Sequence, residues 1–469
     1  MGRGPVSNAL KSVLKQISER GLKAVRVVFV DQHGVTRGKT LTPDAFLSAA
    51  KTGVAMTSTL LLKDTSHATV FDVWGADSGF GAGVMTGASD FVIMPDAATF
   101  KILPWIEDTG WVLCDMQHKD GTPHRLSTRA ILQKAIGNLN DAGMDFVAGL
   151  EVEFHVLEIV DDNLDHDTAD WPEIPPTTRL INHGHQYLTE NISDQQADIA
   201  ALIAENAAAL DLPIRSLETE FGPSQFEVTF AAMPALAAAD TMVLFRNMVK
   251  QTCRRAGLHA TFMCRPRFKN AMGSGWHLHQ SVVDLKSGQN LFVPHKTTEL
   301  TEIAGYWIAG LLAHAQSSCL LSTPTVNGYK RYQPFKLAPD RVAWGVDNRG
   351  AMLRALLNAD DAASRIENRV GEPAANPYLY LATQIASGLD GITQRRKPPA
   401  AVENPYATNA PKLPTSLGDA IAAFGDSSFY RTALGAQFVE YFAQIKRAEW
   451  TRYLQAVSQW EEREYFSLF

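Results

Sequence analysis

Between Asn327 and Arg369 the chain carries six arginines, Arg331, Arg341, Arg349, Arg354, Arg365 and Arg369, set among short apolar runs rather than among acids. A guanidinium presents a fixed planar fork that suits carboxylate and phosphate oxygens. A solvated charged face would instead scatter Lys and Glu at helical spacing. In Arg365-Ile366-Glu367-Asn368-Arg369 the charges alternate at period 2. On a strand that spacing puts all three on one face. An Arg–Glu–Arg salt-bridge triad and a phosphate or metal site both fit it.

Three further pairs stand out, two of them at the same spacing. Glu151-Val152-Glu153 sits on an apolar strand, with both side chains on one face and their Cβ atoms roughly 7 Å apart. Glu220 and Glu227 bracket a Gly-Pro turn, FGPSQF, which can return both to one place. His277 and His279 lie at period 2 in GSGWHLHQ. Taken singly, a glutamate pair is ordinarily solvated and a strand histidine is ordinarily a core hydrogen-bonder. Taken together they differ, because two carboxylates about 4 Å apart repel by roughly 4 kcal/mol at an effective dielectric of 20. Five carboxylates in one cleft would need cations. Carboxylate oxygens with one imidazole favour Mg or Mn over Zn or Cu.

The elements that must position these residues fall into two parts. Residues 8–20 read as a helix, and Ala24 to Val30 with Thr36 to Leu41 as a hairpin turned at Asp31-Gln32-His33-Gly34. Residues 53–90 are rich in Gly, Ser and Thr; Gly79, Gly81 and Gly83 read as a flexible loop rather than a phosphate loop, since no Lys-Ser/Thr follows. The polar stretch His118 to Ser127 is the expected boundary, giving an N-terminal domain over 1–120 and a larger one over 121–469. Beyond it helices alternate with strands. Ser127 caps a helix to about Ala142, and Phe146 to Ile159 is a strand. Ser193 caps an Ala-rich helix to about Leu210. Strands follow near Leu217–Phe221 and Phe226–Phe230, then a helix from Ala235 to Ala256 ended by Gly257, then strands over 258–265 and 276–283. Asn376-Pro377 opens another helix, and the tail from about Gly435 is helical.

The bulk numbers exclude several classes. A chain of 469 residues exceeds the usual single core, so two domains are expected. A net charge of −7 gives no reason to expect nucleic acid or an anionic membrane as partner. The four cysteines, Cys114, Cys253, Cys264 and Cys319, form no CxxC pair, which points to a reducing, cytoplasmic setting. The N-terminus lacks the apolar core of a signal peptide. Ile303 to Tyr329 has no charged residue, but His314, Gln316 and its serines mark it as a buried helix rather than a membrane span.

In order and spacing these residues resemble the glutamine synthetase family over nearly the whole chain. The resemblance rests on Glu151 and Glu153, on Glu220 and Glu227 with the inner Gly-Pro, on Gly273 to Ser281, on Asn327 to Arg331, on Asp347 to Arg354 and on Arg365 to Arg369. It implies an α+β fold: a small β-grasp domain, and a large domain with a curved antiparallel sheet and helices outside. It implies a homo-oligomer, commonly a dodecamer of two stacked hexameric rings, with each active site between neighbouring subunits. By the same resemblance Glu153, Glu220 and Glu227 would hold one Mg or Mn ion, and Glu151, His277 and Glu367 the other. Arg354 and Arg365 would bind ATP phosphates, and His279 and Ser281 would line the nucleotide pocket. Arg331 and Arg369, with the Gly273 backbone, would grip glutamate, and Arg349 would sit by the transferred phosphoryl group. The implied chemistry has ATP phosphorylate the γ-carboxylate of L-glutamate, after which an amine attacks the acyl phosphate.

The chain departs from the ammonia-using pattern after Arg331. Where those enzymes carry a flap glutamate that closes the site and takes a proton from ammonium, this chain has Leu337, within Gln333 to Pro339. A DGSS-like segment is not evident either; Asp64-Thr65-Ser66 is the nearest candidate for the ammonium-binding Asp. Leucine neither holds a cation nor accepts a proton. The expected nitrogen substrate is therefore an organic amine, aniline-type or small alkylamine, in a pocket of Leu337, Phe335, Trp276 and Trp344, with Asp64 as a candidate base. An ammonia-using glutamine synthetase and a non-catalytic structural relative are the competing readings.

Overall fold

The structure, a computed structural model, describes residues 8–75, 85–333 and 337–469. The glycine loop at 79–83 and Phe335 lie outside the described residues.

The first sheet is built on Ala24–Val30, where Val25, Val27 and Phe29 alternate inward. That strand pairs antiparallel with Thr36–Leu41 and parallel with Thr109–Gln117. The helix Pro43–Thr52 follows the hairpin, capped by the Thr42 hydroxyl, with proline in its first turn. A hairpin, a crossing helix and a last strand laid parallel to the first make the β-grasp pattern.

The second sheet has ten strands, antiparallel except where Trp344–Val346 runs parallel to Leu353–Leu356. Its axis is the 18-residue strand Met144–Asp161. Along one edge this strand pairs first with Trp276–Asp284 and then with Leu258–Thr261; along the other it pairs with Gln225–Phe230 and then Thr177–Arg179. Changing partners along its length curls the sheet. Even-numbered residues Leu150, Val152 and Phe154 are buried, and the helices Thr128–Asp141, Ala235–Arg255 and Pro377–Thr393 pack behind them. The odd-numbered face is left for chemistry. This is the α+β fold expected from the sequence.

Several local expectations are corrected. Ser193 lies inside a short helix, Glu190–Gln195, with its hydroxyl 3.0 Å from that of Thr219; the Ala-rich helix is Ala197–Ala209 and starts after Gln196. The strand expected over 258–265 ends at Thr261, and that near Leu217 runs from Ile214 to Thr219. The uncharged 303–329 stretch forms two helices, Glu302–Ala313 and Ala315–Ser322, broken at His314, which turns to Asp390 (2.8 Å). Among the described residues no helix is long and apolar enough to cross a membrane.

Candidate active site

Cross-strand register assembles the site in rows. Glu218, Glu227 and Glu153 lie side by side on three neighbouring strands. In the next row Ser216, Thr229, Glu151 and His277 are in register. A third row runs Gly149, His279, Glu367 and Arg354. Because side chains alternate at period 2, every one of these points to the same face. Glu220 joins them from the end of the turn that Gly222 makes tight: a Cβ there would lie 2.3 Å from Gln225 Oε1. Gly275 likewise leaves room for Arg331, whose Nη2 a Cβ would meet at 2.5 Å.

The donors converge. Ligand atoms of Glu153, Glu220 and Glu227 lie within 4.8 Å of one another, as do those of Glu151, Glu227 and His277, and those of Glu151, His279 and Glu367. Glu367 Oε1 is 3.7 Å from His277 Nδ1. His279, expected only beside the nucleotide, is drawn into the carboxylates: its Nε2 is 3.0 Å from Glu151 Oε2, while its Nδ1 accepts from Arg365 Nε at 3.0 Å. His277 Nδ1 lies 2.6 Å from Glu151 Oε1, and its Nε2 faces Arg331 Nη2 at 3.2 Å. These partners assign the Nδ1–H tautomer to His277. Burial and then Arg369 lower its pKa to about 4, so it is a neutral imidazole at pH 7, the form that ligates metals.

The two halves of the cluster differ in charge balance. Burial pushes Glu151 upward, but His277 and His279 outweigh it and hold the carboxylate ionised. Burial raises Glu367 too, and Arg369 and His277 reverse it; Arg354 Nη1 donates to its Oε2 at 3.0 Å. For Glu153, Glu220 and Glu227 the compensation is too small: Arg331 and the Gly275 N–H lower Glu153, and the Phe221 N–H lowers Glu220, without cancelling burial. Burial is the largest cause for each, repulsion from neighbouring carboxylates adds to it, and all three are raised. Three acids of one sign at ligand spacing, two buried and Glu220 half-buried, fit a hard divalent cation bound through oxygen. Cation binding must then displace protons. Above the ordinary carboxylate range these groups still hold protons, so affinity rises with pH. The rise in melting temperature on adding Mg2+ is expected to be larger at pH 8 than at pH 6, with calorimetric proton release at the lower pH; a pH-independent shift would contradict it.

Gln225 orders this half. Its Nε2 donates to Glu153 Oε2 and to Ser274 Oγ, both at 3.1 Å, and its Oε1 accepts the Gly222 N–H at 2.9 Å. Removal of such an outer partner typically costs about 10–100-fold in metal affinity. Gln225→Ala is expected to weaken Mg2+ binding by that factor in titration calorimetry; unchanged affinity would show that Glu153 needs no holder.

A cavity of about 780 Å³ opens over the cluster. Arg331, Arg349, Arg354 and Arg369 line it, as do Gly273, Met272, Phe221, Tyr187 and Leu337. Arg331 is buried and its Nη1 donates to Arg369 O at 3.0 Å. Arg369 also pairs with Glu367. The Arg–Glu–Arg triad therefore exists, but Arg354 takes the place beside Glu367 that period 2 suggested for Arg365. Ser281 follows His277 and His279 on the same face, in register with Val147 farther along the sheet.

Three residues expected at the amine are elsewhere in this chain. Trp276 shares its row with Val152 on the core face, fully buried edge-to-face on Tyr380 at 5.2 Å. Trp344 is in register with Leu353, also on the core face, and its Nε1 donates to Pro399 O. Asp64 is buried and accepts from Ser66, Ala68 and Arg452; burial would raise its pKa, but these bonds hold it below the usual carboxylate range, making it a weak base. Sequence reasoning passed over Glu218, Gln225, Tyr187, Phe221 and Met272. Glu218 was within reach, being two residues from Glu220 on an expected strand.

Comparison with known proteins agrees with this geometry. Residues 125–465 match the model of the glutamine synthetase catalytic domain. The chain is 41% identical to the gamma-glutamylanilide synthase of Acinetobacter sp, over 98% of this chain and 96% of that one. It is 32% identical to the glutamate–isopropylamine ligase of Pseudomonas sp, over 98% of each. Among solved structures, a GmaS–ADP complex superposes with a TM-score of 0.80 at 27% identity, covering 97% of this chain and 99% of that one. A site of paired glutamates, histidines and arginines on a curled sheet, carried by this sequence, belongs to one family: the chain is a member of the glutamine synthetase family of ligases.

Proposed function

We propose that the chain is an ATP-dependent ligase that joins L-glutamate to an organic amine, aniline-type or small alkylamine. The observation that carries the choice of amine is Leu337, an apolar side chain at the edge of the cavity. Similarity to the two amine ligases supports it. Mg2+ or Mn2+ held by Glu153, Glu220 and Glu227, and by Glu151, His277 and Glu367, would neutralise phosphate oxygens. Arg354 and Arg365 bind the ATP phosphates, with His279 and Ser281 beside the nucleotide. Arg331 and Arg369 hold the glutamate carboxylates against the Gly273 backbone. A γ-carboxylate oxygen attacks the terminal phosphorus and ADP leaves, with Arg349 meeting the charge on the transferring group. The amine nitrogen then attacks the acyl carbon, phosphate leaves, and nitrogen gives up a proton. Residues 1–120 and 121–469 are the two domains. The working form is a cytoplasmic dodecamer of two stacked hexameric rings.

The test is ADP release with ATP, glutamate and a panel of ammonia, methylamine, isopropylamine and aniline. An organic amine should exceed ammonia in kcat/KM by at least about tenfold, the lower range of discrimination a pocket supplies. Ammonia as the best substrate would overturn the reading in favour of a glutamine synthetase.

A further inference from the structure

The cavity is not uniformly polar. Two of its apolar residues, Phe221 and Met272, lie at the Glu220 turn. Phe221 follows Glu220 directly, lines the cavity and is 41% exposed. The ring is held in place. His185 meets it edge to face with centroids 5.2 Å apart, and His185 N–H donates to Phe221 O at 2.7 Å. Phe221 N–H in turn donates to Glu220 Oε2 at 2.8 Å, which ties the ring to the carboxylate cluster. Met272 stands against the same turn, since a Cβ on Gly222 would lie 3.0 Å from Met272 Cβ. Leu337 lines the same cavity and is 63% exposed. Phe221, Met272 and Leu337 come from three separate segments, yet line one cavity with Glu220.

Resting on the ligase reading above, we infer that Phe221, with Met272 beside it, is the surface on which the ring of an aromatic amine packs, and that Phe221 is a specificity-determining residue. An aromatic amine brings a flat apolar face and, at neutral pH, an uncharged nitrogen. Packing that face on Phe221 removes both rings from water and permits an offset or edge-to-face pair. Methioninyl sulfur and methylene groups adapt to the ring edge. Ammonia or methylamine has no face to offer and leaves Phe221 exposed. The apolar wall therefore acts on the difference between amines rather than on the phosphoryl transfer they share.

The experiment measures kcat/KM for aniline and for methylamine in the wild-type enzyme, Phe221→Ala, Phe221→Tyr and Met272→Ala, with the glutamate KM alongside. The aniline-to-methylamine ratio should fall at least about tenfold in Phe221→Ala. In Phe221→Tyr it should stay within about threefold of wild type, and the glutamate KM should hardly move in either. A Phe221→Ala protein that keeps its Mg2+-dependent thermal shift and an unchanged ratio overturns the inference alone. If Phe221→Ala does not fold, Met272→Ala decides it: a falling ratio supports the inference and a constant one overturns it. A wild-type enzyme that ligates no organic amine overturns the ligase reading and this inference with it.

Discussion

Glu367→Gln should lower kcat by on the order of 10²–10³-fold, the loss that follows removal of one preorganised charge-stabilising group, while leaving the protein folded. Glu367 is fully buried, sits 3.7 Å from His277 and receives both Arg354 and Arg369. It is thus a candidate metal ligand and, among the described residues, the one acid of the cluster paired with two guanidiniums. Those duties separate by substitution. Glutamine keeps the shape and one acceptor oxygen but loses the charge that offsets a cation. Alanine also abandons two arginines in a buried site, and Glu367→Ala should cost about 3–5 kcal/mol of stability, the penalty for breaking a buried pair from one side. Turnover in Glu367→Gln within tenfold of wild type would remove Glu367 from the metal site.

Arg349→Ala should be at least as damaging to kcat, by about 10³-fold, the lower bound for an arginine that meets the charge of a transferring phosphoryl group. Unlike its neighbours, Arg349 is exposed in the cavity and no ion pair holds it among the described residues. Its removal should leave the melting temperature and the glutamate KM close to wild type. The split distinguishes it from Arg354, which is pinned by Asp347 at 2.6 Å and by Glu367, and whose loss would disturb the cluster itself. A raised glutamate KM with normal kcat would reassign Arg349 to substrate binding.

Much of the site could be read from strand period alone. Two residues of spacing put Glu151 with Glu153, and His277 with His279, on one face wherever the strands lay. Register was not readable: nothing in the sequence says that Glu227 is opposite Glu153, or Glu367 opposite His279, because pairing depends on contacts between segments far apart in the chain. The misplacement of Trp276 was avoidable. It is adjacent to His277, so the parity that aims the histidine at the cavity sends the tryptophan to the core, where Tyr380 receives it. Trp344 fails for the same reason through its pairing with Leu353. Caps announced by local chemistry fared better, as at Ser127, Asn376 and Gly257. Ser193 did not, because its hydroxyl is 3.0 Å from that of Thr219 rather than at a helix start.

The central claim is that glutamate is activated as an acyl phosphate and then captured by an organic amine. It is tested most directly with L-glutamate labelled with 18O in the γ-carboxylate, incubated with the enzyme, ATP, Mg2+ and aniline. The account predicts one labelled oxygen in each phosphate released, with γ-glutamylanilide and ADP formed in equal amounts. Unlabelled phosphate, or ADP formed without any amide, would contradict it.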